Sequence, residues 1–186
     1  NQKESQAVIQ KKGKHDIAYL QDVGICGPRS CFAHGIWLDE EAFKTLERTH
    51  TSITHCPSSN LKLGSGIAKV PELLARGIQV SLGADGAPCN NTLDMFQEMR
   101  LAALIQRPRL GVKALSSKTV LEMATIRGAQ ALGMDREIGS LAPGKKADII
   151  VVSQHQLHAV PPGDPYDTLV FSARSSDVAF VVIDGQ

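Results

Sequence analysis

The run TSITHC at residues 51–56 is rich in β-branched side chains and stops at Pro57. It reads as a short strand, because such residues fit a pleated surface and proline cannot continue the ladder. A polar loop is expected next, at residues 58–66, then a helix with Ile67, Val70, Leu73 and Leu74 on its apolar face, closed by Gly77. The same unit lies on either side. Upstream, residues 29–34 (RSCFAH) form a strand-length run, after which Leu38-Asp39 opens a helix with Phe43 and Leu46 on one face and Glu40, Glu41 and Lys44 in water. Downstream, residues 78–82 (IQVSL) predict a third strand, followed by a loop at 83–91 and a helix over 93–106 stopped by Pro108. Strand alternating with helix predicts an α/β fold whose parallel sheet is covered by helices.

Beyond this core the pattern changes. Residues 1–24 read as two short helices separated by Gly13, and a further helix is expected over 117–132, with Ser116 as N-cap and Gly133 at its end. From residue 138 turn chemistry takes over (GSLAPGK). Two apolar runs, 147–152 and 178–183, then predict a small β appendage, with a surface loop over 153–167.

Composition narrows the function classes. The 186 residues are 42% hydrophobic and 21% charged, enough for one sizeable core and too few for two large domains. Twenty Lys and Arg against 19 acids give a net charge of +1, without the basic excess that a nucleic acid partner requires. No apolar run approaches the roughly 18 to 20 residues of a membrane span, and the start at Asn1-Gln2-Lys3 lacks a signal-peptide core. Cys26, Cys31, Cys56 and Cys89 lack the dense spacing of a disulfide framework. They read as buried free thiols of a cytoplasmic protein, which sets aside a zinc half-site at Cys26 and Cys31.

Aligning the three strand ends gives AH at residues 33–34, TH at 54–55 and AD at 84–85. Each strand delivers a ligand-type side chain, His34, His55 or Asp85, at its C-terminal end. Parallel neighbours would bring the three to one rim, where sheets of this build carry their chemistry. Two imidazoles and a carboxylate there could bind a divalent metal, position a water or hold a polar substrate. Each alone reads as a core or capping group; three in register favour function. Asn60, Lys62 and Ser65 in the following loop are candidate substrate contacts. His15, His50, His155 and His158 are read as having no functional role, and Glu98 and Arg100 as surface or supporting pairs.

The blocks AHGIWL (33–38), THCPSSNLKLGSG (54–66), VSLGADGAPCNN (80–91), MFQEMRLAAL (95–104) and IGSLAPGKKADI (138–149) closely resemble the amidohydrolase superfamily. Within it the resemblance is to the branch of 5'-methylthioadenosine/S-adenosylhomocysteine and 5'-deoxyadenosine deaminases, with triazine chlorohydrolases and guanine deaminases as relatives. It covers essentially the whole chain. What it implies is a metal-dependent (β/α)8 TIM barrel with a small β-sandwich built from both chain ends, and hydrolytic deamination of an adenine-type nucleoside by metal-bound hydroxide. Carried over by motif, His34 is the strand-6 histidine that stabilises charge on the attacking oxygen, His55 the strand-7 histidine facing the substrate, and Asp85 the strand-8 metal ligand and general base. The implied metal is zinc, with iron as the alternative. The implied substrate is a purine nucleoside or related heterocycle, with chloride displacement from a triazine or guanine deamination as alternatives.

The departures from the family pattern matter as much. The chain has no His-x-His pair and no strand-5 histidine; by motif register Asn1 falls just after that His-x-x-Glu, so Glu4 is not its proton shuttle. The chain therefore resembles a C-terminal part: residues 1–137 as strands 6–8 of the barrel and 138–186 as a share of the sandwich. Alone it is expected to be an inactive structural fragment that binds metal weakly or not at all. Its open strand edges predict association with a missing half or with copies of itself, a homo-oligomer.

Overall fold

The computed structural model describes residues 2–161 and 163–186. Asn1, included in the expected first helix, and Pro162, in the expected surface loop, lie outside the described residues. Two helices open the chain, α1 (Gln2–Lys12) and α2 (Asp16–Asp22), as the break at Gly13 predicts. Then β1 (Cys31–Ala33), α3 (Glu40–Thr49), β2 (Ser52–His55), α4 (Pro57–Lys62), α5 (Val70–Ala75) and β3 (Val80–Leu82) follow in turn.

The three strands form one parallel sheet in the order β1-β2-β3, with Ala33 opposite Thr54 and His55 opposite Leu82. Its two faces differ because side chains alternate along a strand. On one, the Thr54 hydroxyl lies 2.9 Å from the Cys31 sulfur and 3.0 Å from the Ser81 hydroxyl, a polar row across all three strands. On the other, Ile53 and Val80 are fully buried in a core shared with Leu46, Leu73, Val120 and Met123 from the helices. Cys31, expected as a buried thiol, is exposed instead, and Cys26, expected likewise, is only partly buried.

Several boundaries differ from the sequence reading, each for a local reason. Residues 58–66 are not all loop: Pro57 starts α4, its fixed φ suiting the first helical turn. The 83–91 loop contains the short helix α6 (Ala87–Asn90). Pro108 does not stop α7 (Met95–Ile105) but sits in the first turn of α8 (Arg107–Leu110). The helix expected over 117–132 breaks at Thr125, φ −126° and ψ −99°, into α9 (Ser117–Ala124) and α10 (Ile126–Ala131). The loop at 153–167 includes a turn of 3-10 helix at Leu157–Ala159 and α11 (Pro165–Asp167). The appendage is an antiparallel pair, β4 (Ile149–Val152) and β5 (Val178–Val182).

Packing is close around β2. A methyl group at Gly83 would lie 2.6 Å from Thr54 Cγ2 and 3.5 Å from the Cys56 sulfur. Gly83→Ala should therefore cost about 1–3 kcal/mol in urea unfolding through overpacking. Gly27→Ala, with no heavy atom within 4 Å of the added carbon, should be near neutral in the same assay.

The core also encloses an imidazole. His55 is fully buried, neither ring nitrogen has a hydrogen-bond partner among the described residues, and burial, with a smaller contribution from nearby His34, pushes its pKa down to about 4. The unfolded chain takes up this proton near 6.5, so stability falls as pH drops from above 6.5 towards 4 and then levels. Between pH 7.5 and pH 5 this one group should remove about 2 kcal/mol. His55→Gln should show a pH dependence of the unfolding free energy shallower by that amount.

Candidate functional site

The site begins where β1 and β3 leave the sheet. His34 donates its backbone N–H to Thr54 O at 2.8 Å, and Gly83 donates to His55 O at 2.9 Å, so the central strand holds both exits level. Immediately beyond, His34 has φ 74° and Asp85 φ 63°. Few residues other than glycine adopt this left-handed conformation, and such strain persists only where the surroundings enforce it. The turn after His34 needs Gly35, whose added Cβ would meet Ile53 Cγ2 at 2.8 Å.

Helix α4 supplies partners to both residues. Ser59 Oγ donates to Asp85 Oδ2 at 2.5 Å, and the Gly86 N–H donates to Asp85 Oδ1 at 2.7 Å. These two bonds, then the neighbouring His34 and Cys89, hold the Asp85 carboxyl below its usual range, so it is ionised at neutral pH. Asn60 Oδ1 lies 2.8 Å from His34 Nδ1. An amide oxygen only accepts, so Nδ1 carries a proton. That leaves Nε2, 3.9 Å from Asp85 Oδ2, free to meet a ligand. His34 lines a cavity of about 700 Å3 together with Phe32, Trp37, Leu63 and Ser65.

Of the three residues aligned at the strand ends, the structure brings His34 and Asp85 face to face and encloses the third. His55 is the last residue of β2, is fully buried, and is not among the residues that line the cavity beside His34. Among the loop residues expected to contact substrate, Asn60 is buried against His34. Lys62 donates to Pro88 O at 2.7 Å and to Asn91 Oδ1, and the Ser65 carbonyl accepts the Trp37 indole N–H at 2.8 Å. Two of the histidines set aside have structural partners: His15 bonds to the Trp37 carbonyl at 2.5 Å, and His158 pairs with Asp177 at 2.8 Å.

Sequence reasoning missed Ser59 as the partner of Asp85, and it placed Glu98 among surface or supporting pairs. Glu98 is fully buried, which removes the surface half of that reading and keeps the supporting one. A signal for it existed: Glu98 falls within the α7 stripe of Phe96, Met99, Ala102 and Ala103, where an acid needs a buried partner.

As a metal centre the site is partial. Asp85 offers an anionic oxygen at one end of the sheet, a donor that suits zinc, with His34 Nε2 3.9 Å from it. No group of three or more His, Cys, Asp and Glu able to hold a metal occurs among the described residues. A catalytic zinc takes three protein ligands, so Asp85 makes only part of such a site.

Comparison with known proteins gives the family. Over 180 residues the chain is 44% identical to a 5'-deoxyadenosine deaminase of Methanothermobacter thermautotrophicus, covering 96% of this chain and 42% of that protein. It is 43% identical to a 5-methylthioadenosine/S-adenosylhomocysteine deaminase of Syntrophobacter fumaroxidans, covering 100% of this chain and 43% of the relative. The crystal structure of an adenosine deaminase from Xanthomonas campestris with bound zinc superposes with a TM-score of 0.95 at 33% identity, covering 99% of this chain and 42% of that one. The chain thus spans about two fifths of the length of the curated relatives it matches. The relatives are deaminases, and the model of the amidohydrolase family matches residues 1–186. With its Asp85 and His34 at the ends of parallel strands, this chain belongs to the amidohydrolase family.

Proposed function

We propose that the chain is the C-terminal part of a metal-dependent hydrolase that deaminates an adenine-type nucleoside. Residues 1–137 would form strands 6–8 of a (β/α)8 barrel and residues 138–186 a share of a β-sandwich. The observation that carries this reading is the facing pair at the strand ends, an ionised Asp85 with His34 Nε2 3.9 Å away. The names of the relatives, and the two fifths of their length that the chain spans, support it.

The reaction adds water to C6 of the adenine ring and breaks the C6–N bond, releasing ammonia and leaving a carbonyl. A divalent metal, zinc or alternatively iron, held by Asp85 and by donors outside this chain would supply Lewis-acid activation of water. Asp85, anionic and fixed by Ser59 and Gly86, would take a proton from the attacking water and return it to the leaving ammonia. His34 is oriented by Asn60 through Nδ1. Its imidazole would face the oxygen on which negative charge develops, a group set in place beforehand that needs no reorganisation. For His55 we propose a substrate contact reached when its enclosing segments open, which would give a role to its two ring nitrogens, without hydrogen-bond partners among the described residues.

The partner is a small molecule, a purine nucleoside or related heterocycle, and the setting is the cytoplasm, in keeping with four free thiols. No helix among the described residues is long and apolar enough to cross a membrane. The outer edges of β1 and β3 support self-association or docking of the rest of the barrel.

A full-length protein carrying this chain, loaded with zinc, should release ammonia from 5'-deoxyadenosine or methylthioadenosine. Asp85→Asn should cut that rate by about 100-fold or more; a variant retaining more than a few per cent of wild-type activity would remove Asp85 from the mechanism. Zinc added to residues 1–186 alone should give no ammonia, and measurable release would refute the division of the site between two parts of the molecule.

A further inference from the structure

Glu98 on α7 is a fully buried acid, and each of its oxygens accepts one hydrogen bond from a segment that carries part of the site. Oε2 accepts the Ser58 N–H at 3.1 Å, in the first turn of α4. The next two residues of that helix are Ser59, bonded to Asp85, and Asn60, bonded to His34. Oε1 accepts the Asn90 side-chain amide at 2.8 Å. The same amide donates to the carbonyl of Ala84 at 2.8 Å, the residue before Asp85, while Asn90 Oδ1 accepts the Leu93 N–H at 2.8 Å. Asn90 is itself buried. One carboxylate therefore bridges the helix that supplies the partners of Asp85 and His34 and the turn that carries Asp85.

We infer that Glu98 is a positioning residue for the Asp85–His34 pair, clamping α4 and the 84–90 turn at the separation that sets the two reacting side chains. The inference deepens the proposed deamination and rests on it. Glu98 touches neither residue of the pair in any contact described above; it acts through Ser58 and Asn90. The chemistry is specific, because both of its partners are N–H donors. A carboxylate meets both, whereas glutamine, of the same shape, must turn an NH2 group towards one of them. The segments would then separate by a fraction of an ångström, and catalysis is more sensitive to such displacement than substrate binding is.

In the zinc-loaded full-length protein, Glu98→Gln should lower kcat about tenfold or more while KM stays within about twofold. Asn90→Ala breaks the same link from the other side and should do likewise, and the double variant should be no worse than the poorer single one. If E98Q does not yield folded protein, Asn90→Ala carries the kinetic test. A kcat within about twofold of wild type, a loss confined to KM, or losses that multiply in the double variant would overturn the inference.

A second readout needs no activity. In residues 1–186, E98Q should speed amide exchange at Gly86 about tenfold while leaving the Ile53 N–H, bonded to Gln79 O at 2.9 Å inside the sheet, unchanged. Equal acceleration at both would mean general loosening and would also overturn it. Wild-type protein that releases no ammonia would defeat the proposed deamination, whereas the exchange measurement would still decide whether Glu98 fixes the 84–90 turn.

Discussion

The geometry of the site depends on the main chain of one strand. β2 lies in the middle of the sheet, and its last two carbonyls, Thr54 and His55, accept the amides of His34 and Gly83 from the neighbours on either side. Those two hydrogen bonds place the exits of β1 and β3 at the same height. The close approach that makes them possible leaves no room for a side chain at Gly35, against Ile53, or at Gly83, against Thr54. The left-handed conformations of His34 and Asp85 follow: each chain must turn sharply within one to three residues of its strand end, and each does so on a residue of the candidate site. The strain is held by the sheet below and by α4 beside it.

Much of this was legible in the sequence, and the parts that were not share a cause. The alternation of strand and helix is local information, carried by β-branched runs, apolar periodicity and turn residues, and it gave the parallel sheet and two of the three rim residues. Aligning the strands on their last ligand-type residue concealed an offset. His55 is the final residue within β2, whereas His34 lies one residue past the end of β1 and Asp85 three past the end of β3. A residue inside the strand obeys the pleat and follows Ile53 into the core; residues beyond it are turned by their own backbone. Pleat parity distinguishes the two cases, but strand ends cannot be located to one residue from pattern alone.

Helix α4 was read as loop for a different reason. Its six residues, PSSNLK, have little intrinsic helicity, and its N-cap, Cys56, makes no side-chain bond. The group that meets its first-turn amide is Glu98, forty residues downstream on another helix. A short polar helix sustained by a distant buried acid leaves no local trace at its own position. The trace lies at the acid, in the break it makes in the apolar stripe of α7.

The electrostatics of Asp85 bear on which chemistry the pair can support. The bonds from Ser59 and Gly86 fix the carboxylate and also make it a weaker base than a free one. A proton acceptor works best when its pKa is near the operating pH, and this one is held far below neutrality. Against ordinary water it would therefore be a poor base. Its use as a proton acceptor makes sense where something else acidifies the water, which the proposed Lewis acid would do. Each carboxylate oxygen retains lone-pair capacity beyond the bond it accepts from Ser59 or Gly86, which leaves the carboxylate able to ligate a cation without giving up the contacts that orient it. An arrangement that anchors an acid on one side and keeps its remaining lone pairs free is suited to sharing a metal with donors from elsewhere in the fold.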